Sequence, residues 1–336
     1  MREEILSRIQ KHFPLVAKPF ASIAAELGIE EEEVLSILQK EKQAGIVRQT
    51  SAIFDTKRLG YKSSLVAFKV DAEKIDAVVK VINSHPGVSH NYERNHNFNI
   101  WFTLAVDPSS IFGLEKTVAL LAKLTDTQEY IILPTLKLFK ISVKLNTTGK
   151  DEKKERVKKV MHKEIELTPL HHEIIHKTQY DIEFVSEPFK KIVDSLGIDY
   201  EQYFSILSEL QEAGIMRRFA AILNHRKAGF NANAMVVWDV NANEGEVIGK
   251  KAAAFSAVSH CYLRPKYQNW PYNLFTMVHG KTQDETNAII EEMSKEIEAK
   301  SYMPLYSSRE FKKVRIEYFT PEFTAWEQNH IKAQGA

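Results

Sequence analysis

A single cysteine, Cys261, stands in 336 residues, so neither a disulfide framework nor a thiolate metal cluster can form within one chain. A reducing cytoplasm suits such a sequence. Long apolar runs are also missing: none approaches the ~20 residues that span a bilayer, so no membrane is expected. Met1 to Gln10 carry charges where a signal peptide needs an apolar stretch, and the expected location is cytoplasmic. Neither charge is in excess. With 45 Lys and Arg against 44 Asp and Glu the net charge is +1, which creates no long-range field for nucleic acid or lipid. Any basic site must therefore be local. Hydrophobic residues at 44% and charged ones at 26% suit a globular chain long enough for two or more cores.

What is present is a repeat. "KPFASIAAELGIEEEEVLSILQKEKQAGIVRQ" returns as "EPFKKIVDSLGIDYEQYFSILSELQEAGIMRR", keeping Pro19 with Pro188, Gly28 with Gly197 and Gly45 with Gly214. "LGYKSSLVAFKV" matches "AGFNANAMVVWDV", "VSHNYER" matches "VSHCYLR", and "LFKISV" pairs loosely with "EFKKVRI". Within each copy, helical spacing (Ile23, Leu27, Val34, Leu35 and Leu38, with Gly28 breaking two helices) leads into a β-rich segment, a winged helix-turn-helix pattern. A strand, a helix, two strands, a helix and "LKLFKISV" as a last strand follow, the βαββαβ order of a ferredoxin-like domain. The fold class is α+β. The expected layout is winged helix 1 over 1–60, ferredoxin-like domain 1 over 61–145, a polar linker over 146–166, winged helix 2 over 167–229 and ferredoxin-like domain 2 over 230–330.

This order resembles the leucine-responsive (AsnC-type) transcription regulators, which join the same two modules. Fold alone says little about function. A DNA-reading helix brings Arg, Lys, Asn or Gln to bases and phosphates, whereas the candidate helix here opens with Glu30 to Glu33. Acids suit the positive end of a helix dipole, and a phosphate backbone repels them. The second copy has Asp199 and Glu201 in that place. No DNA partner is expected.

His172-Glu173-Ile174-Ile175-His176 formally matches a zinc-peptidase motif. Its register sets it opposite Glu3 to Ser7, in the first helix of a winged-helix unit, and no third ligand follows at a suitable spacing. A surface helix with fortuitous histidines is expected, with no metal site.

The chemistry concentrates on the second strand of each ferredoxin-like unit. His90, Tyr92, Arg94 and His96 are spaced by two and share one face of a strand. The second copy has His260, Tyr262, Arg264 and Lys266, with Pro265 disturbing the end. A plainer alternative is the solvent-facing side of an antiparallel sheet. Yet the His/Tyr/Arg face occurs twice among drifted neighbours, and these groups together suit a carboxylate-rich aromatic ligand. Arg217, Arg218, His225 and Arg226 add cations nearby. "YQNWPYN" supplies Tyr267, Trp270 and Tyr272 beside Asn269 and Asn273, as a pocket wall would.

"RRFAAILNHRKAGFNANAMVVWDV" and "VSHCYLRPKYQNWPYNLFTMVHG" resemble one subunit of the sirohaem decarboxylases. "FDTKRLGYKSSLVAFKV" and "HPGVSHNYERNHNFNIWFTLAV" resemble its partner subunit. The resemblance spans both copies and implies a fused pseudo-heterodimer, with a further homodimer left open. It implies loss of CO₂ from two ring acetates of sirohaem to give 12,18-didecarboxysirohaem, on the way to haem or haem d1. Sirohaem and related iron tetrapyrroles are then the partners. No cofactor is required, since the iron comes with the substrate, and a histidine is a candidate ligand for it. The catalytic candidates are His90 and His260, as proton donors or iron-facing groups, with Arg94 and Arg264 as carboxylate partners. Tyr92, His96, Arg217, Arg218, His225, Tyr262, Lys266, Trp270, Tyr272 and Asn273 are the substrate-binding candidates. A non-catalytic tetrapyrrole sensor and a regulator are the alternatives. The copies differ: Gln49 and Thr56 stand where the second has Arg218 and His225, and only the first has His96.

Overall fold

The computed structural model describes residues 1–141, 163–223 and 232–334. The first copy runs α1 (Arg2–Lys11), α2 (Pro19–Leu27), α3 (Glu31–Gln43), β1 (Val47–Phe54), β2 (Lys62–Phe68), α4 (Ile75–Ser84), β3 (Val88–Arg94), β4 (Ile100–Val106), α5 (Gly113–Leu124), β5 (Tyr130–Pro134) and β6 (Lys137–Ile141). The second runs α6 (Pro169–Thr178), α7 (Lys190–Leu196), α8 (Tyr200–Glu212), β7 (Met216–Leu223), β8 (Ala232–Asp239), α9 (Gly245–Ala254), β9 (Val258–Leu263), β10 (Leu274–Gly280), α10 (Gln283–Glu296) and β11 (Ser301–Lys313). A last helix, α11 (Pro321–Gln334), follows β11. Local chemistry accounts for the boundaries. Pro19 opens α2, where its missing N–H costs nothing, and Gly28 closes it at φ +69°, a conformation that disfavours a side chain.

The parts combine in a way that a serial reading of four domains does not show. One compact unit takes residues 1–61, 163–223 and 317–321, and so holds both winged helices. Each copy supplies one wing strand, and β1 pairs antiparallel with β7, Ala52 lying opposite Phe219. Ile9, Phe20, Val34 and Leu38 of the first copy are buried in this unit, as are Phe189, Leu207 and Leu210 of the second. The His172–His176 segment lies in α6, whose Ile174 and Ile175 are fully buried. The expected surface helix is therefore a packed one. His172 stacks on Phe319 at 4.0 Å, and His176 Nδ1 lies 3.2 Å from the Tyr318 carbonyl.

The second unit takes residues 62–141, 232–316 and 322–334 and holds both ferredoxin-like parts. They share one nine-stranded sheet, ordered β5-β2-β4-β3-β11-β8-β10-β9-β6. The expected last strand of the first copy is β6, and a strand not expected from the sequence, β5, precedes it. Residues 130–134 pair with β2 of their own copy, and residues 137–141 cross to β9 of the other. In mirror fashion, the first half of β11 pairs with β8 and its second half with β3 of the first copy. β5 and β6 are the two ends of the sheet, and only Thr135 and Leu136 separate them along the chain.

Alternation along the strands sorts side chains to two faces. Val66, Phe68, Phe102 and Leu104 pack under α4 and α5, joined by Trp326 of α11. Val236, Trp238 and Val278 pack under α9 and α10. The opposite face carries a third cluster that mixes both copies, with Ala67, Trp101 and Leu133 against Val237, Trp270, Phe275 and Leu305.

Candidate active site

Beside this mixed cluster the unit holds a cavity of about 700 Å³, within the roughly 300–1,000 Å³ usual for ligand sites. His90, Tyr92 and Arg94 line it from the first copy, and His260, Tyr262 and Arg264 from the second. The repeated strand face therefore builds one shared cavity rather than two separate sites. Each imidazole stacks on the tyrosine two residues on, at 6.3 Å for His90 and 6.2 Å for His260. Arg94 lies over Tyr92 at 5.5 Å and Arg264 over Tyr262 at 4.9 Å.

The two arginines are 7% and 8% exposed. Each donates from Nη1 to a carbonyl of a neighbouring strand, Arg94 to Leu305 at 2.8 Å and Arg264 to Leu133. Their backbones are held alike: Arg94 N–H donates to Asn99 O and Arg264 N–H to Asn273 O, both at 2.8 Å. Neither has a carboxylate partner among the described residues, and both Nε atoms are buried without an acceptor. Burial lowers each guanidinium to about 10, so both remain charged at neutral pH. Two desolvated cations without counter-ions are costly to fold and leave an anion to be supplied from outside.

Burial also lowers the proton affinity of His90, with Lys313 adding to the effect, and that of His260, with His90 adding. Each Nδ1 meets the hydroxyl of the preceding serine, at 3.0 Å for His90 and Ser89 and 2.7 Å for His260 and Ser259. Tyr92 is raised to about 12, by burial and then by Glu310. Strand β11 brings Arg309, Glu310 and Lys313 to the cavity. The lining thus holds four Arg or Lys side chains against one carboxylate, with Trp101, Met235, Phe275 and Met277 as apolar wall. Such a cavity suits a flat apolar ring edged with carboxylates.

Comparison with known proteins agrees with this geometry. An AsnC-like ligand binding domain matches residues 58–140 and 227–312, and a "Siroheme decarboxylase NirDL-like HTH domain" matches residues 2–48. The siroheme decarboxylase of Hydrogenobacter thermophilus is 44% identical over 98% of both chains. The chain belongs to the sirohaem decarboxylase family. The siroheme decarboxylase beta subunit of Methanosarcina barkeri is 41% identical over 43% of this chain and 94% of its own. One solved structure, siroheme decarboxylase NirDL in co-complex with an iron-uroporphyrin III analogue, superposes with a TM-score of 0.82 at 39% identity, covering 99% of each chain.

Several of the expected site residues lie outside this cavity's lining. His96 follows the end of β3, where the chain turns and its N–H donates to Arg94 O. Its ring accepts from Phe98 N–H at 2.9 Å and meets Trp270 edge-on at 5.3 Å, outside the cavity lining. Lys266 stands beyond Pro265 and pairs with Asp239. Trp270 is fully buried against Trp101, with centroids 5.2 Å apart, and Tyr272 packs on it at 5.1 Å. They back the wall and do not face the cavity. Asn273 Oδ1 accepts from Val240 N–H at 3.0 Å, as Asn99 accepts from Val70 N–H at 2.9 Å. It is a structural latch repeated in both copies. Arg217 and Arg218 lie on β7 in the winged-helix unit, Arg217 bound to Asp55 at 2.7 Å. His225 lies outside the described residues.

Other residues at the cavity were not singled out from sequence. Arg309, Glu310 and Lys313 sit in a segment whose own-copy pairing gives no hint that it crosses to β3. His279 and Asn233 face each other across β10 and β8. The "VSH" shared by both copies was the available signal for Ser89 and Ser259, read only for its histidine.

Proposed function

We propose that this chain is a sirohaem decarboxylase, removing CO₂ from two ring acetates of sirohaem to give 12,18-didecarboxysirohaem for haem or haem d1 synthesis. The observation that carries the reading is the pair of buried arginines without counter-ions, Arg94 and Arg264, at one cavity lined by both copies. Sirohaem carries eight carboxylates on a flat ring, and a planar guanidinium matches a carboxylate through two parallel bonds.

Decarboxylation breaks the bond between the methylene and carboxylate carbons and leaves an electron pair that the macrocycle delocalises. One proton then completes the methyl group. Arg94 and Arg264 orient the carboxylates, and the apolar wall excludes water from the carbanion. His90 and His260 supply the proton or a ligand for the substrate's iron. Substrate carboxylates raise the proton affinity that burial depresses in these rings. The scheme asks for no further metal or organic cofactor. It needs neither DNA nor membrane: acidic residues open α3 and α8, and no helix among the described residues is long and apolar enough to cross a bilayer. The fused copies act as a built-in heterodimer in the cytoplasm, and a further homodimer is compatible with that role.

Anaerobic incubation with sirohaem followed by mass spectrometry tests the assignment. Loss of two CO₂ per macrocycle is expected, and His90→Ala and His260→Ala should each slow it severely. Binding without mass loss would instead make the protein a tetrapyrrole sensor.

A further inference from the structure

His260 does not end the chain of polar contacts that begins at the cavity. Its Nδ1 meets Ser259 Oγ at 2.7 Å, and the same hydroxyl meets Nε2 of a second imidazole, His279, at 2.6 Å. His279 Nδ1 in turn meets Asn233 Oδ1 at 2.6 Å. Three elements build the array: β9 carries Ser259 and His260, β10 carries His279, and β8 sets Asn233 opposite His279 in register. All four residues line the cavity. Among the described residues the first copy has no such extension. Ser89 Oγ meets His90 Nδ1 at 3.0 Å and, on its other side, only Thr103 Oγ1 at 3.3 Å. The residue at the place of His279 there is Ala105, aligned through the pairs Val88–Leu104 and Val258–Val278.

We propose that His279 is a positioning residue that feeds a proton through Ser259 to His260, making His260 the histidine that protonates the reacting methylene carbon and leaving His90 to bind the substrate. The proposal rests on the decarboxylase reading above and assigns the proton within it. A hydroxyl between two imidazoles can donate to either and accept from the other. Asn233 Oδ1 accepts from Nδ1–H of His279, so a proton arriving at His279 sits on Nε2. It passes to Ser259 Oγ as the Ser259 proton passes to His260 Nδ1. His260 is then an imidazolium whose Nε2–H faces the cavity.

The acetate carbon–carbon bond breaks, CO₂ leaves, and the electron pair remains on the methylene carbon. That pair takes the Nε2 proton, forming the methyl C–H bond and returning His260 to neutrality. Each CO₂ lost consumes one proton, and water recharges the pair through His279. The hydroxyl pair behind His90 ends without a second base and can fix its tautomer but not reload it.

The test compares the full-length chain with His279→Gln and His279→Ala under anaerobic single-turnover conditions, together with the affinity of each for iron-uroporphyrin III. In His279→Gln, the side chain keeps a hydrogen bond to Ser259 but cannot carry a proton. Its rate of CO₂ loss should fall about 10²-fold with analogue affinity unchanged. In His279→Ala, exogenous imidazole should restore part of the rate. A His279→Gln rate within twofold of the parent, or a loss matched by weakened analogue binding and not rescued by imidazole, overturns the relay. Absence of turnover in the unmodified chain would instead overturn the decarboxylase reading itself.

Discussion

Arg94 and Arg264 stand at equivalent positions of the two copies, line the same cavity, and each bonds to a strand carbonyl through one guanidinium nitrogen while its Nε stays unpartnered. Their equivalence arises because each stands at the end of the second strand of its ferredoxin-like part and is held through the carbonyl of an asparagine, Asn99 or Asn273. The arrangement stores an electrostatic cost in the empty protein that an anionic ligand relieves.

Replacing that cost should be visible in stability. Arg94→Met is expected to leave the thermal midpoint of the empty protein unchanged or raised, since a buried unpaired charge gives way to an apolar side chain of similar length, a change worth about 1–4 kcal/mol where it stabilises. The same variant should lose most of the midpoint increase that iron-uroporphyrin III gives the parent. A strong drop in the empty-protein midpoint would show that the bond to Leu305 matters more than the desolvated charge.

Ligand binding should take up protons. Burial lowers the pKa of both His90 and His260, so they are largely neutral near pH 7 in the empty protein. Carboxylates entering the cavity favour the charged form and raise those pKa values, so protonation follows binding. Calorimetry of iron-uroporphyrin III binding in buffers of different ionisation enthalpy should register net uptake near pH 7. Uptake should diminish as pH falls and the free rings become protonated already. Net release of protons would contradict this electrostatic account.

Trp270 is expected to act through packing. Trp270→Ala should destabilise the protein by about 3–5 kcal/mol, as large truncations in a filled core do. Trp270→Phe should cost less than about 1.5 kcal/mol, because the indole N–H has no partner to lose. Chemical denaturation separates the two, and the Phe variant should keep its affinity for the analogue.

The crossing of β6 to the second copy can be tested at Gly249. A Cβ there would stand 2.3 Å from the ring of Phe139, so the helix α9 and the crossed strand touch at this glycine. Gly249→Ala should cost about 1–3 kcal/mol through overpacking. Combined with Phe139→Ala, which removes the obstructing ring, it should cost markedly less than the two changes summed. Strict additivity in a double-mutant cycle would mean that β6 does not pack there.

The sequence by itself determined the duplication, the α+β class and the His-x-Tyr-x-Arg strand, because these are local: glycine and proline punctuation sets helix ends, and a period of two sets a strand face. It also located two histidines and two arginines that line the cavity. Only the tertiary structure decided that both sets serve one cavity. That depends on strands crossing between copies, and a strand's pattern records which face is buried but not which neighbour supplies its hydrogen bonds. For the same reason Trp270 and Asn273 looked like binding groups, while His279, Arg309 and Lys313 passed unnoticed. Aromatic and polar side chains read alike in sequence whether they back a wall or face a ligand, and long-range strand register separates the two.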